Sequence, residues 1–308
     1  MNQKPCVATI GFFDGVHRGH RFLISCVKRL ADELGLESAI ITFPVHPRMV
    51  MQPGFRMELL STPEEKHRML ESEGVNRIVE LPFTVELSKY TAREFMVEVL
   101  KHRLHVDTLV IGYDHRFGHN RSEGFEDYRR YGEEIGMHVV HAEACVVDGV
   151  TVSSSAIRRF LCGGEVTIAA HCLGYEYYLE GTVVDGFKVG RTLGFPTANL
   201  RIEENGKLIP AGGVYAVRVE MQGKEYAGML NIGCRPTVDN GKERSIEVHI
   251  LHFSADIYGK PIRITFVQRI RNEQKFDGLD ALVMQLKKDA EEVERLLLPL
   301  QDKVVKRF

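Results

Sequence analysis

The sequence lacks an excess of charge of either sign. Its 308 residues include 40 lysines and arginines and 42 aspartates and glutamates, for a formal net charge of -2 at pH 7. Chains that bind nucleic acid usually carry a marked basic excess, so nucleic acid is not an expected partner. A polyanionic ligand must instead be bound at a local site, where a few residues supply the field.

Closely paired cysteines and long apolar runs are missing as well. The six cysteines form no CxxC pair of the kind that marks a zinc ribbon or a redox motif. We therefore expect reduced, mostly structural thiols. No apolar run reaches the roughly 18 residues that span a bilayer, so a membrane is not an expected partner. The N-terminal segment lacks the pattern of a signal peptide, which favours a cytoplasmic protein.

The length and the first half of the sequence predict an α/β domain followed by a second domain. A chain of 308 residues suits two domains of ordinary size. Up to about residue 165, strand-like apolar runs alternate with helical periodicity, as in CVATIGFF followed by HRFLISCVKRLADELG. This alternation is typical of a doubly wound parallel sheet with helices on both faces. We place this domain at residues 1–165.

After residue 165 the pattern changes to short alternating strands with glycine turns. The alternation of apolar and polar residues that half-buried strands show appears in GGVYAVRVEMQGKEYAGMLNIG and in KPIRITFVQRI. No long helical pattern separates these two segments. Such a pattern is typical of an antiparallel sheet or a small closed barrel. LDALVMQLKKDAEEVERLLL then returns to helical period. We predict a second domain at residues 166–308, a small antiparallel β-barrel with a C-terminal helix.

The segment GFFDGVHRGH, residues 11–20, follows the first predicted strand and opens the first helix. Doubly wound sheets bind ligands at this carboxyl edge. The glycines let the backbone turn sharply, and the helix N-terminus offers N–H groups to an anion. His17 and His20 lie one turn apart on one helix face, so both can point at one phosphate group. The arrangement suits a nucleoside triphosphate.

Three other interpretations of the two histidines stay open at this point. A zinc site would need further ligands, and no Cys/His cluster nearby supplies them. Two structural histidines would need no ligand, although a pair at a strand–helix junction is unusual for that role. A dinucleotide site would require GxGxxG, which the segment lacks.

Two later segments carry polar groups that suit the same chemistry. VSSSAIRRFLCGGEV, residues 152–166, places serine hydroxyls and the guanidinium of Arg158 at a helix start, where they can bind phosphate oxygens. By itself it indicates only a capped helix with a solvated basic face. LVIGYDHRFGHNRSEG, residues 109–124, follows another predicted strand and carries Asp114 and His115.

Together the three segments resemble those of the HxGH nucleotidyltransferases, in the long form of the flavin adenylyltransferases. GFFDGVHRGH is similar to G-x-F-D-G-x-H-x-G-H. VSSSAIR is similar to S-S-T-x-I-R, with Ser155 in the place of threonine. GYDHRFG resembles G-x-D-F-R-F-G, with His115 in the place of the middle aromatic residue.

The resemblance implies roles for individual residues. His17, His20 and Arg158 are expected to be catalytic, and Asp114 to bind flavin. An ATP-phosphate site is expected from Gly11, Phe13, Asp14, Gly15, Ser153, Ser154 and Ser155. Adenylyl transfer needs no covalent intermediate on the protein, because positioning and neutralisation of the phosphate charge do most of the work.

In the second domain, VVDGFKVGRTLGFPTANL, residues 183–200, is rich in glycine but has the wrong spacing for a Walker loop. Thr197 and Asn199 lie two apart in extended backbone, so both can reach one hard cation such as Mg²⁺. In isolation the segment fits a glycine-rich hairpin with a polar edge equally well.

This segment resembles the G-R-x-L-G-F-P-T-A-N hallmark of riboflavin kinases. NIGCRPTV (231–238) and SIEVHIL (245–251) are similar to later motifs of that family. The resemblance implies that Glu247 is the catalytic base, which takes the proton of the terminal ribityl hydroxyl as the γ-phosphate transfers. It further implies ATP binding by Gly190 and Arg191 and Mg²⁺ binding by Thr197 and Asn199.

For two residues of this domain a plainer interpretation stays open. Strand alternation equally allows Glu247 to be a glutamate that faces water. RIRNEQKFDGLDALVMQL, residues 269–286, resembles the closing segment of the kinase family and implies that Arg271 lies close to the flavin. Alternatively it is the entry to an amphipathic helix with exposed charges.

The resemblance covers nearly the whole chain, in the order found in bacterial bifunctional riboflavin kinase/FAD synthetases. It implies that the second domain phosphorylates riboflavin with ATP to FMN and that the first transfers AMP from ATP to FMN, giving FAD and pyrophosphate. Mg²⁺ is expected in both reactions, ADP is the kinase by-product, and a monomer or weak homo-oligomer is expected. The departures are PVHP at residues 44–47 for E-P-H-P and Glu176 for a proline.

Two rival functions stay open on the sequence. Another HxGH transferase, such as a cytidylyltransferase, would leave GRTLGFPTAN unexplained. A flavin- or nucleotide-binding regulator without catalysis would lack polar groups in one of the two sites, whereas both sets are present.

Overall fold

The computed structural model describes residues 4–185, 190, 193–203, 206–236 and 242–297. The chain forms two compact units, Met1–Ala156 and Ile157–Phe308. Within the described residues, Cys6, Cys26 and Cys145 form no disulfide bond.

The first unit is built on a five-stranded sheet in which every neighbouring pair of strands is parallel. Its strands are β1 (Cys6–Ile10), β2 (Glu37–Thr42), β3 (Arg77–Glu80), β4 (Val106–Ile111) and β5 (His138–His141). The order β3-β2-β1-β4-β5 reverses direction between β1 and β4, which confirms the predicted doubly wound sheet. Successive side chains of β1 enter different cores, Cys6 and Ala8 one and Val7 the other, because helices cover both faces.

The connections of this unit are helical. They are α1 (Arg18–Leu34), α2 (Pro47–Met51), α3 (Pro63–Ser72), the short turn α4 (Ala92–Glu94), a π-helix (Phe95–Arg103) that continues it, and α5 (Phe125–Ile135). A small hairpin, β6 (Val146–Val147) and β7 (Val150–Thr151), follows. Helix α3 begins with a capping box: the Thr62 hydroxyl accepts from the Glu65 N–H, and the Glu65 carboxylate accepts from the Thr62 N–H.

The second unit is a closed antiparallel barrel, as predicted. Helix α6 (Ser154–Gly163) spans the limit between the units, and α7 (Val166–Leu173) follows it. The barrel order is β10-β11-β12-β9-β8-β13. These strands are β8 (Tyr178–Val184), β9 (Ala198–Arg201), β10 (Gly213–Met221), β11 (Lys224–Pro236), β12 (Lys242–Ile250) and β13 (Pro261–Arg271).

The C-terminal helix α8 (Leu279–Leu297) covers part of the outer face of the barrel. Val293 and Leu297 of α8 pack with Val214 and Ala216 of β10. Tyr215, between those two strand residues, is buried and lies on the opposite face because side chains alternate along a strand.

Candidate active sites

The turn after β1 has an unusual backbone. Phe13, Gly15 and Val16 have φ angles of 57°, 76° and 34°, in the left-handed region. Glycine adopts this region freely, but a bulky or β-branched residue does so only where the surrounding structure holds it. Phe13 and Val16 are buried, so the core supplies that constraint. Held strain of this kind is typical of functional turns, and it also ends the predicted strand at Ile10.

The two histidines of this turn are brought together. His17 is the N-cap of α1, and its Nδ1 accepts a hydrogen bond from the backbone N–H of His20 at 3.3 Å. The imidazole rings stack with centroids 3.6 Å apart and planes at 16°. Because Nδ1 of His17 is an acceptor, the neutral ring carries its proton on Nε2 and can donate from there.

The charge state of His20 follows from its surroundings. Burial, helped by the charges of His17 and His115, lowers the pKa of His20 well below its usual range. Its Nδ1 is buried and has no hydrogen-bond partner among the residues that the structure describes. The imidazole is therefore uncharged at pH 7, and a phosphate group beside it would favour the protonated form.

Asp14 holds the turn in place. Its buried carboxylate accepts hydrogen bonds from the backbone N–H groups of Leu60 at 2.9 Å and Ser61 at 3.2 Å. The N–H of Gly15 donates to the Ser61 hydroxyl at 3.0 Å, and the Ser154 hydroxyl donates to the backbone oxygen of Asp14 at 3.2 Å. The turn is thereby joined to the entry of α3 and to the start of α6.

The serine segment contributes to the same region through α6. The Ser153 hydroxyl accepts from the N–H of Ala156 at 3.2 Å and caps the helix. Ser155 is exposed. Arg158 lies one turn after Ser154 on this helix, among the residues of the second unit.

The loop after β4 lies at the same sheet edge, because β4 pairs with β1 in parallel. Asp114 of this loop is exposed, whereas the Nε2 atom of His115 is buried and has no hydrogen-bond partner among the described residues. Burial and the neighbouring Arg121 lower the pKa of His115 to about 4, with Asp114 acting in the opposite direction. The charge of a protonated His115 is one of the causes that lower the pKa of His20.

A buried lysine, absent from the sequence-based prediction, also belongs to this region. Lys66 of α3 is only 3% exposed, and its ammonium group donates to the backbone oxygen of Phe43 at 2.6 Å. The same group lies 4.0 Å from the ring centroid of Phe12, in the turn after β1. Burial lowers the pKa of Lys66 to about 8, against the favourable charges of Asp14 and Glu80. Nothing in STPEEKHRM distinguishes this lysine from an exposed one.

In the second unit, oxygen-bearing side chains meet at β9 and β12. The Thr197 hydroxyl donates to Oε2 of Glu247 at 3.4 Å. Asn199 is the cross-strand neighbour of Glu247 in the β9–β12 ladder, so all three side chains share one face. Nδ1 of His249, two residues on, lies 2.8 Å from the backbone oxygen of Pro196 and holds the segment before Thr197.

The glycine-rich segment is described only in part. Gly190 accepts from the N–H of Phe195 at 2.8 Å, and a side chain at position 190 would collide with the backbone oxygen of Phe195. Only glycine allows this close approach. Arg191, predicted to bind ATP, lies outside the described residues.

A cavity of about 530 Å³ opens on the other side of β12. Val248 and Ile250 line it, together with residues 253–258 and Thr197. Because side chains alternate, Val248 points away from the face that carries Glu247. Thr197 therefore borders the cavity while its hydroxyl reaches Glu247.

Arg271, at the end of β13, takes part in a buried ion pair. Its Nε and Nη2 donate to the carboxylate of Asp289 at 2.9 and 2.8 Å, and Asp289 is only 1% exposed. Gln285 donates to the same carboxylate at 2.8 Å. The remaining Nη1 donates to the backbone oxygen of Asn272 at 3.1 Å. This network fastens α8 to the barrel and fixes the guanidinium plane.

The donor sets suit some metals better than others. In the described part of the chain, no group of three or more His, Cys, Asp or Glu side chains is arranged to hold a metal ion. His17 and His20 thus have no further zinc ligand there. Thr197, Asn199 and Glu247 present hard oxygen atoms, the kind that Mg²⁺ takes alongside waters and phosphate oxygens.

The two halves of the chain match two family models. The model described as FAD synthetase matches residues 1–156, and the one described as riboflavin kinase matches residues 173–297. The chain is 37% identical to a bifunctional riboflavin kinase/FMN adenylyltransferase from Listeria monocytogenes, over 96% of this chain and 94% of that one. The protein of the same description from Escherichia coli K12 is 36% identical, over 93% and 91%.

The fold also has a solved counterpart. A crystal structure described as a macrolide-efflux protein from Streptococcus pneumoniae is similar with a TM-score of 0.86 and 33% identity, over 96% of this chain and 95% of that one. For this chain, none of the helices in the described ranges combines the length and apolar character needed to cross a membrane.

Proposed function

The chain belongs to the family of bifunctional riboflavin kinase/FMN adenylyltransferases, and from this premise we propose which residues carry each of its two reactions. It phosphorylates riboflavin with ATP to FMN and transfers AMP from ATP to FMN, giving FAD. We assign the adenylyl transfer to the turn with His17 and His20, and the kinase reaction to the face with Thr197, Asn199 and Glu247. The observation that carries this division is that the two donor sets lie in different units.

In the kinase reaction, Glu247 is the base that accepts the proton of the terminal ribityl hydroxyl. Its carboxylate is within 3.4 Å of the Thr197 hydroxyl, which supports a fixed orientation for it. We place the nucleoside of ATP in the cavity lined by Val248 and Ile250, and riboflavin on the opposite face of β12. Thr197 then stands between the two substrates, where the phosphoryl group passes. Gly190 and Arg191 belong to the ATP side, and Arg271 to the flavin side.

Thr197 and Asn199 are the residues that would hold Mg²⁺ with the ATP phosphates. When bound, the ion supplies charge neutralisation on the transferred phosphoryl group. The hard oxygen donors of this face fit that ion.

In adenylyl transfer, His17 and His20 bind the ATP phosphates. Nε2–H of His17 donates to a phosphate oxygen, while the lowered pKa of His20 lets its ring bind the anion with or without a proton. The phosphate site extends to the N-terminus of α6 and to its serines, Ser153, Ser154 and Ser155. Arg158 neutralises charge on the departing pyrophosphate. The turn that binds the phosphates is shaped by Gly11, Phe13, Asp14 and Gly15. Asp114, on the loop after β4, contacts the flavin.

Lys66 is a positioning residue for this first site. Lys66→Met is expected to lower FAD formation about tenfold. The variant leaves the buried backbone oxygen of Phe43 without its donor, at a cost of about 1–3 kcal/mol, and removes the ammonium group from the ring of Phe12. The turn after β1 is then held less firmly in its active geometry. FMN formation should not change. We expect the wild-type FAD rate to fall as the pH rises through about 8, where the Lys66 ammonium loses its proton, and we expect no such fall in Lys66→Met. Lys89→Met, at an exposed lysine of the same unit, is the control, and unchanged FAD formation in Lys66→Met would exclude the role.

A flavin time course tests the proposed function. Riboflavin, ATP and Mg²⁺ should yield FMN first and FAD after it, separated by chromatography. Supplied FMN with ATP should yield FAD directly, and chelation of Mg²⁺ by EDTA should stop both reactions. A chain that makes FMN but never FAD would contradict the assignment of the first unit. CTP consumption in place of ATP would support a cytidylyltransferase, and absence of both reactions would support the regulator.

Several expectations about the whole molecule stay proposals. We propose domain limits of 1–165 and 166–308, a cytoplasmic location, and a monomer or weak homo-oligomer. Riboflavin, FMN, FAD, ATP, ADP and pyrophosphate are the proposed ligands, with neither nucleic acid nor membrane as a partner.

A further inference from the structure

His115 stands out among the buried polar groups of the first unit. Its Nε2 is buried and has no hydrogen-bond partner in the described ranges. Leaving a buried donor or acceptor unpaired is costly, so such an atom usually marks a missing ligand or water. The motif that the loop resembles has an aromatic residue here, which needs no partner. The imidazole is thus a feature of this chain that packing alone does not require.

The loop that carries His115 lies next to the turn with the two stacked histidines. The backbone N–H of His115 donates to the backbone oxygen of Gly112 at 3.1 Å, in the turn directly after β4. Because β4 pairs with β1, this turn adjoins the one with His17 and His20. The ring of Phe117 lies on another side of the imidazole, with centroids 6.1 Å apart. His115 therefore belongs to the loop that carries Asp114, at the sheet edge where the turn with His17 and His20 also lies.

We propose that His115 donates a hydrogen bond from Nε2–H to the phosphate of FMN, the nucleophile of the adenylyl transfer. The inference rests on the proposed function, in which Asp114 lies on the flavin side and His20 on the ATP side. The FMN phosphate is the one group that must lie between a flavin and the α-phosphate of ATP. A buried donor on the loop with Asp114, at the sheet edge that also carries the His20 turn, is in the region where that phosphate must lie.

The charge of the imidazole suits this role. With a pKa of about 4, His115 is uncharged at neutral pH, because burial and the charge of Arg121 lower that pKa more than the charge of Asp114 raises it. A neutral donor orients the phosphate without removing its negative charge, which the attack requires. An oxygen of the FMN phosphate forms the new bond to the α-phosphorus, the bond from that phosphorus to the bridging oxygen breaks, and pyrophosphate leaves with the electron pair. His115 neither gives up nor gains a proton.

Three variants of His115 test the proposal. His115→Phe restores the aromatic residue of the similar motif and removes the donor. His115→Gln carries an N–H near the position of Nε2, and His115→Asn carries one near that of Nδ1. Steady-state FAD formation would be measured with FMN and ATP varied separately, with FMN formation from riboflavin as the control for folding in the same chain.

We expect His115→Phe and His115→Asn to raise the KM for FMN about tenfold or more, with the KM for ATP unchanged. His115→Gln should stay within about threefold of wild type. A raised KM for ATP alone, or an unchanged KM for FMN in His115→Phe, would overturn the proposal, as would a His115→Gln as impaired as His115→Asn. If His115→Phe fails to fold, the contrast between Gln and Asn decides. Failure of the wild-type chain to make FAD would instead contradict the proposed function.

Discussion

Replacing either stacked histidine, in His17→Ala or His20→Ala, is expected to lower FAD formation by about 100- to 1,000-fold, the effect of removing one preorganised donor to a charged transition state. Both rings are placed by one backbone turn, and because Nδ1 of His17 accepts the His20 N–H, the neutral His17 ring carries its proton on Nε2. FMN formation should continue, because Glu247 and Thr197 belong to the other unit. The measurement is FAD formation from FMN and ATP beside FMN formation from riboflavin.

The two roles of His17 need separate variants. As the N-cap of α1 it also stabilises the helix, and losing a cap costs about 1 kcal/mol. His17→Asn keeps a capping side chain but lacks the imidazole, so it should lose FAD formation while its thermal unfolding stays near that of wild type. His102→Ala, at an exposed histidine of the same unit, should change neither. If a folded His17→Asn loses both activities together, the division of labour between the units is wrong.

Glu247→Gln is expected to lower FMN formation by about 100- to 10,000-fold, the usual contribution of a general base. Glutamine has nearly the shape of glutamate and can still meet the Thr197 hydroxyl, but it cannot take the ribityl proton. Adenylylation of supplied FMN should proceed at the wild-type rate. The assay is phosphorylation of riboflavin at saturating ATP, beside FAD formation from FMN.

A second glutamate of the barrel provides the matched control for that experiment. Glu225 lies on β11 with an exposed side chain, and Glu225→Gln removes one charge from the unit without touching the β9–β12 face. Its kinase activity should equal that of wild type. Retained kinase activity in Glu247→Gln would show that Glu247 is a strand residue and that the proton goes elsewhere.

The fold was predictable because the hydrophobic periodicity of helices and strands, and the glycines that end them, recur along this chain. Parallel strands read as short apolar runs between helical patterns, and the barrel as alternation with glycine turns. The ends of elements were less predictable: CVATIGFF suggests a strand through Phe13, whereas the left-handed backbone of Phe13 ends β1 at Ile10. The segment TAREFMVEVLKHRL suggests an ordinary helix, and most of it is π-helical.

The site was predictable only in part, because burial and hydrogen bonding are tertiary properties. The stack of His17 and His20 follows from their spacing. For Asp14, expected in the phosphate site, the sequence does not indicate that its carboxylate accepts from the backbone N–H groups of residues 60 and 61. Lys66 and His115 are common surface residue types, and only the packing of distant segments shows that Lys66 is buried and that the Nε2 atom of His115 is.

The ion pair between Arg271 and Asp289 selects a single register for α8 along the barrel. The apolar stripe of that helix, with Val293 and Leu297, would tolerate a slip by one turn, since similar side chains recur at that spacing. A slipped helix would leave the Asp289 charge buried without its partner, at a cost of about 3–5 kcal/mol. A pair that adds little net stability therefore excludes the competing alignments of α8, and it holds the end of β13 in one orientation.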